Sequence, residues 1–125
     1  MAEVLLVEDT PDNRHIYHTI LAWAGHTVHE ECNGEDALKA VRICRPAVIV
    51  MDVTMPVMNG LEATRRLKAD PETAGIPVLI LTAHAYPSDR ADAVSAGADA
   101  YLSKPCAPKA LLAEVERLLT SGRRG

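Results

Sequence analysis

The sequence predicts one α/β domain built on a parallel sheet, and three observations carry that expectation. Short apolar runs rich in β-branched residues, Val4 to Val7, Val48 to Met51 and Val78 to Leu81, with a weaker run at Ala100 to Leu102, suit strands buried on both faces. Segments of helical period separate them, and such alternation folds into a parallel sheet with right-handed crossovers. The chain has 125 residues, 48% of them hydrophobic. A chain of that length buries about two-thirds of the surface its unfolded form exposes, which supports one core without disulfide or metal staples.

Taken in order, the first strand ends on Glu8-Asp9. Thr10 then offers an N-cap and Pro11 suits the first helical position, with Ile16, Ile20, Trp23 and Ala24 expected on one apolar face and Gly25 closing the helix. His26 to Cys32 alternates, as a more exposed strand does. Asn33-Gly34 turns into a helix with Ala37, Val41 and Cys44 on one face and Leu38 beside them, and Arg45-Pro46 stops it. A loop rich in Met and Pro runs from Met51 to Gly60, and Leu61, Thr64 and Leu67 mark a third helix. Asp70-Pro71 opens a polar connection that ends at Pro77. The fourth helix, roughly Ser88 to Ala96, has Val94 as its only large aliphatic residue and is expected to pack weakest and move most. The fifth starts near Pro108 with Leu111, Leu112, Val115, Leu118 and Leu119 on its apolar face and frays into Ser121-Gly122. The expected organisation is one domain over 1–121, a short C-terminal tail at 122–125 and no output domain.

Charge and composition exclude several functions. Thirteen Lys plus Arg against seventeen Asp plus Glu give a net charge of −4, and no basic cluster exceeds Arg65-Arg66 or Arg123-Arg124, which argues against a nucleic-acid surface. Trp23, Tyr17, Tyr86 and Tyr101 are the only aromatics, too few for base-stacking platforms. The start of the chain lacks the basic region and length of a signal peptide, and no apolar run approaches a bilayer span, so no membrane role is expected. Cys32, Cys44 and Cys106 are odd in number and lack zinc-ligand spacing, which suits reduced, mostly packed thiols in a cytoplasmic protein. His15 and His18 stand at helical spacing without a third ligand and read as surface residues.

The strongest signal lies where strands stop. Val7 gives way to Glu8-Asp9, Met51 to Asp52, Leu81 to Thr82, and Leu102-Ser103 to Lys104. In an open parallel sheet the carboxyl ends of the strands share one edge, where ligands bind at the point of strand-order reversal. Any single Asp after a strand is more simply a turn or cap residue, but five polar residues agreeing in these positions is hard to obtain by chance. Carboxylates crowded about 4 Å apart repel by roughly 4 kcal/mol per pair at an effective dielectric near 20. A divalent cation with oxygen ligands offsets that repulsion, Mg²⁺ first and Mn²⁺ as the alternative. Metal, a lysine cation and a hydroxyl around a carboxylate form the equipment of phosphoryl transfer. Asp52 is the nucleophile candidate because it follows the middle strand alone, whereas the adjacent Glu8 and Asp9 are better placed to hold the metal.

These residues make the sequence similar to the receiver domain of two-component response regulators. The matching stretches are Val4-Leu5-Leu6-Val7-Glu8-Asp9, Met51-Asp52-Val53-Thr54-Met55-Pro56 leading to Asn59-Gly60, Leu81-Thr82-Ala83, Ala96-Gly97-Ala98, and Tyr101-Leu102-Ser103-Lys104-Pro105. The resemblance spans essentially the whole chain. It implies a flavodoxin-like (βα)5 three-layer sandwich with strand order 2-1-3-4-5. It also implies phosphorylation of Asp52 by a histidine kinase or histidine phosphotransfer protein. Mg²⁺ would bind Glu8, Asp9, Asp52 and the Thr54 backbone carbonyl, and Lys104 would hold the phosphoryl oxygens, with a cis bond to Pro105. Thr82 and Tyr101 would form the switch pair, small Ala83 would leave the phosphoryl group room, and Thr54 and His84 would tune its hydrolysis. For His84 the plainer reading is an exposed loop histidine. Cys106 borders this motif, with packing or partner contact preferred over redox chemistry.

Other functions fit less well. An aspartyl phosphatase of the haloacid dehalogenase type wants a second Asp two residues after the nucleophile, where Thr54 stands, and an acidic pair after it instead of before. A flavodoxin-type carrier would set Glu8-Asp9 against the flavin phosphate, and a scaffold-only receiver would not need every phosphorylation position. The protein is therefore expected not to be a turnover enzyme beyond transfer to and hydrolysis from its own Asp. Its output is expected to be protein contact, either as a stand-alone messenger or relay or as a receiver excised from a hybrid histidine kinase or larger regulator. The phosphodonor would dock on the start of the first helix and the loop over 105–107. The downstream target would read the fourth helix, the last strand and the fifth helix, with Tyr86 as a candidate anchor.

Overall fold

The computed structural model describes residues 2–55, 57–83, 86–104 and 106–122, with side chains to residue 120. Strands and helices alternate: β1 (Glu3–Val7), α1 (Pro11–Trp23), β2 (Thr27–Glu31), α2 (Gly34–Cys44), β3 (Val48–Asp52), α3 (Gly60–Ala69), β4 (Val78–Thr82), α4 (Pro87–Ala96), β5 (Ala100–Ser103) and α5 (Pro108–Gly122). The strands form one parallel sheet in the order β2-β1-β3-β4-β5, as expected. Among the described residues, no helix is long and apolar enough to cross a membrane.

The strand pleat divides the core between the sheet's two faces. Leu5, Val7, Ile49, Met51, Val78 and Ile80 pack against α2, α3 and α4 through Ala37, Val41, Ala63, Leu67 and Ala93. Val4, Leu6, Val48, Val50, Leu79 and Leu81 pack against α1 and α5 through Tyr17, Leu21, Leu111, Val115 and Leu118. Both faces of β1, β3 and β4 are covered, which is why these strands read as continuous apolar runs. Asn33 and Asn59 cap α2 and α3 by accepting from the backbone N–H of Asp36 and Glu62 at 2.8 and 2.9 Å. Lys68 Nζ donates to the carbonyls of Ala74 and Ile76 and to Asp99 Oδ2 at 3.0, 2.9 and 2.8 Å, and that same carboxylate oxygen accepts from Val78 N. The starts of β4 and β5 are thereby locked together, so that both strands finish at the same edge.

Not all of the expectations for the helices and thiols hold. The apolar face expected on α1 is turned away from the core, with Trp23 83% and Ile16 51% exposed and Ala24 also exposed. Tyr17 and Leu21 are buried instead, and Ile20 lies between the two sets. Both sets satisfy helical spacing, and the rotation of α1 about its axis turns the second towards the sheet and α5. The weak packing expected of α4 agrees with the structure, where Val94 is 65% exposed and the helix buries only Ala93 and Ala96. Thr10 does occupy the N-cap of α1, but its side chain makes no cap bond there; Pro11 lacks an N–H, which reduces the need for one. Cys32 is exposed whereas Cys44 and Cys106 are half-buried, so the expectation of mostly packed thiols holds only in part. The helix α5 continues through Gly122.

Candidate functional site

The carboxyl ends of β1, β3, β4 and β5 deliver the chemistry-bearing residues to one crevice. Parallel register sets Asp52 beside Leu81, the residue before Thr82, and sets Thr82 beside Ser103, the residue before Lys104. The carboxylates of Glu8, Asp9 and Asp52 each place an oxygen within 4.8 Å of the others. Glu8 and Asp52 are buried and Asp9 half-buried.

Lys104 sits among these acids. Its ammonium lies 3.1 Å from Glu8 Oε1 and 3.1 Å from Asp52 Oδ1. One cation therefore partly neutralises a pocket holding three carboxylates. Burial raises the Glu8 carboxyl above its ordinary range, and repulsion from Asp52 adds to that, while Lys104 works against both. For Lys104, burial favours the neutral amine, but the Glu8 hydrogen bond and the two negative charges outweigh it and leave the ammonium firmly protonated. Nearby, burial, then the neighbouring Cys106, pushes the Tyr17 phenol up to about 12, and burial also raises the Cys106 thiol.

The backbone around Asp52 is held by close approach at two glycines. A Cβ on Gly60 would stand 2.1 Å from the Asp52 carbonyl oxygen, and one on Gly34 would stand 2.6 Å from that of Met58. Gly60 N donates to Val53 O at 2.9 Å and Gly34 N to Met58 O at 3.0 Å, so α2 and α3 both pin the loop that follows Asp52. Within that loop Val57, β-branched and 76% exposed, is held at φ 69, a strained conformation beside the site.

Of the other sequence-derived candidates, Thr82 is buried at the end of β4 and Ala83 is exposed beside it. Thr54 is exposed two residues beyond Asp52. Tyr101 is half-buried on β5, packed against the core on the α4 side. His84 and Pro105 lie outside the described residues, as do the Lys104-Pro105 bond and the Arg123-Arg124 pair. Sequence reasoning missed Arg14, whose Nη1 donates to the Glu8 carbonyl at 2.8 Å. The signal for it is a basic residue one turn into the helix that follows an acidic pair.

Comparison with known proteins agrees with this geometry. Residues 4–116 match the family model described as the response regulator receiver domain. The chain is 37% identical over 119 residues to protein PilH of Pseudomonas aeruginosa, covering 95% of this chain and 98% of that protein. Several other relatives are longer, and the chain spans between 13% and 54% of their length. The receiver domain of a signal transduction histidine kinase from Syntrophus aciditrophicus superposes with a TM-score of 0.93 at 35% identity, covering 100% of this chain and 95% of that one. A receiver domain of a sensor histidine kinase from Pseudomonas aeruginosa, solved with a magnesium ion coordinated in its active-site cleft, superposes with a TM-score of 0.89 at 33% identity, covering 95% and 98%. The chain belongs to the response regulator receiver domains, the phosphoacceptor modules of two-component signalling.

Proposed function

We propose that Asp52 is the phosphoacceptor and that Glu8, Asp9 and Asp52, with the Thr54 backbone carbonyl, hold Mg²⁺. The observation that carries this reading is the Lys104 ammonium lying 3.1 Å from both Glu8 and Asp52 in a pocket that keeps an excess of negative charge. The donor set fits a hard divalent cation, since it is made of carboxylate oxygens clustered at an open edge. When bound, the metal supplies positive charge against the transferring oxygens. The Asp52 carboxylate oxygen attacks phosphorus, the bond from phosphorus to the donor imidazole nitrogen breaks, and that nitrogen keeps the electron pair. Lys104 pairs with a phosphoryl oxygen and Thr82 donates its hydroxyl to another, which leaves charge spread over fixed groups.

The phosphodonor is a histidine kinase or histidine phosphotransfer protein reaching the crevice past the start of α1. Thr82 passes the phosphorylation state to Tyr101, and Thr54 and His84 set access of hydrolytic water. Output is protein contact through α4, β5 and α5, whose surface carries a groove of about 290 Å³ lined by Arg90, Val94, Tyr101, Glu114 and Arg117. The likeness to PilH supports a messenger role, and the likeness to a histidine kinase's receiver domain supports a relay position.

Incubation with Mg²⁺ and a small phosphoramidate, read by intact-protein mass, is expected to add one phosphoryl group that Asp52→Asn abolishes. Undiminished labelling of that variant would exclude Asp52 as acceptor. Sustained turnover of p-nitrophenyl phosphate would point instead to a phosphatase.

A further inference from the structure

Every polar atom of Glu8 has a partner. Its N–H donates to Glu31 O at 3.0 Å, its Oε2 accepts from Thr10 N at 3.3 Å, and its Oε1 accepts from Lys104. Its carbonyl oxygen accepts from Arg14 Nη1 at 2.8 Å. That nitrogen also lies 3.4 Å from Cys32 Sγ, and Arg14 Nε lies 3.7 Å from Glu30 Oε1. Glu30 is itself held by His18 Nδ1 at 2.7 Å. The guanidinium, 20% exposed, thus spans from the end of β2 to the turn that carries Glu8 and Asp9.

The Glu8 carbonyl and the Asp9 N–H belong to one planar peptide unit. Fixing the carbonyl oxygen fixes that plane, and the plane sets the direction in which Asp9 leaves the chain. We propose that Arg14 is a positioning residue for the acidic site: braced by Glu30 and Cys32, it orients the Glu8-Asp9 peptide so that Asp9 faces the crevice before a cation arrives. The inference rests on the reading of Glu8, Asp9 and Asp52 as the metal's ligands. Its effect belongs to metal affinity, because Arg14 acts through the backbone: among the described residues its side chain contacts the Glu8 carbonyl, Cys32 and Glu30, and neither Asp52 nor Lys104. A planar fork with several donors suits a residue that holds a carbonyl and a carboxylate together, whereas a lysine ammonium in its place reaches fewer of these partners.

The test is calorimetric titration of the full chain with Mg²⁺ for the parent, Arg14→Ala, Arg14→Lys, Glu30→Gln and Asp9→Asn, with the phosphorylation rate by a small phosphoramidate measured at saturating Mg²⁺. Arg14→Ala is expected to weaken Mg²⁺ binding by about three- to tenfold, at or below the low end for outer-shell partners. Arg14→Lys is expected to fall between Arg14→Ala and the parent, Glu30→Gln to follow in the same direction, and the rate at saturating metal to stay within about twofold of the parent. Unchanged Mg²⁺ affinity in Arg14→Ala while Asp9→Asn loses it overturns the role of Arg14 and leaves the metal site standing. Undiminished affinity in Asp9→Asn, or a parent that takes up no Mg²⁺, overturns the metal site and the role of Arg14 with it. Should Arg14→Ala fail to fold, Arg14→Lys and Glu30→Gln decide, and parent affinity in both overturns the inference.

Discussion

Replacing Asp52 by Asn is expected to stabilise the metal-free protein, although it removes one partner of a buried ion pair. Asp52 faces the carboxylates of Glu8 and Asp9 with oxygens within 4.8 Å. At an effective dielectric near 20, those two repulsions amount to about 7 kcal/mol. The Lys104 ammonium at 3.1 Å offsets about 5 kcal/mol on the same scale. The balance is unfavourable by roughly 2 kcal/mol, and burial of the charge adds to it. Screening at half-buried Asp9 reduces its share, so a gain of about 1–2 kcal/mol is expected for Asp52→Asn, whose amide keeps the shape and an acceptor for Lys104. Urea unfolding followed by far-ultraviolet circular dichroism, in EDTA, measures it. With Mg²⁺ at about a hundred times its dissociation constant the parent gains about 2.7 kcal/mol, the variant with one ligand fewer gains less, and the ranking reverses. A variant less stable than the parent by more than about 1 kcal/mol in EDTA would refute the reasoning, because Asp52 would then be a net structural partner of Lys104.

Three further outcomes follow from the fold. Leu21→Ala is expected to cost about 2–5 kcal/mol and Trp23→Lys less than about 0.5 kcal/mol in urea unfolding, and the opposite order would put Trp23 back in the core. Gly60→Ala is expected to lose about 3 kcal/mol and to slow Asp52 labelling, since its Cβ would meet the Asp52 carbonyl at 2.1 Å; parent-like melting would contradict that contact. Because the Tyr17 phenol is raised to about 12, its contribution to stability is complete below the unfolded value of 10 and is lost as pH rises from there towards 12. Tyrosinate absorbance should show Tyr17 ionising last, and Tyr17→Phe should remove that share of the alkaline loss.

The central strands and their limits were legible because β1, β3 and β4 are covered on both faces, so burial left an unbroken apolar signature in the sequence, whereas their order in the sheet followed only from the resemblance to receiver domains. The strand ends were legible for a related reason: a polar residue directly after such a run must lie at the sheet's edge, and parallel strands share that edge. The α1 face was not, because Ile16-Ile20-Trp23 and Tyr17-Leu21 both fit a helical stripe and only the rotation of the helix about its axis separates them. The weak packing of α4 was legible, since an alanine-rich helix has little apolar surface to bury, and only Ala93 and Ala96 are buried on it. Neither the Lys104 bridge nor the Arg14 contact was visible, as both depend on how far a flexible cationic side chain reaches across elements distant in sequence.

Those two cations also explain how the acids in one pocket can differ in character. Glu8 is fixed through backbone and side chain by β2, Thr10, Arg14 and Lys104, an arrangement that orients it before any ligand arrives. Asp52, on the middle strand, shares the Lys104 ammonium with Glu8, so that cation cannot neutralise both in full. Burial has raised the Glu8 carboxyl, whereas the ammonium stays protonated, and the pocket therefore keeps a standing demand for positive charge. Under the proposed function, a cation would meet that demand by joining the acids, and a phosphoryl group would meet Lys104 by replacing its carboxylate partner with its own oxygens. The residues proposed for metal and phosphate are thus the ones whose negative charges Lys104 alone does not balance.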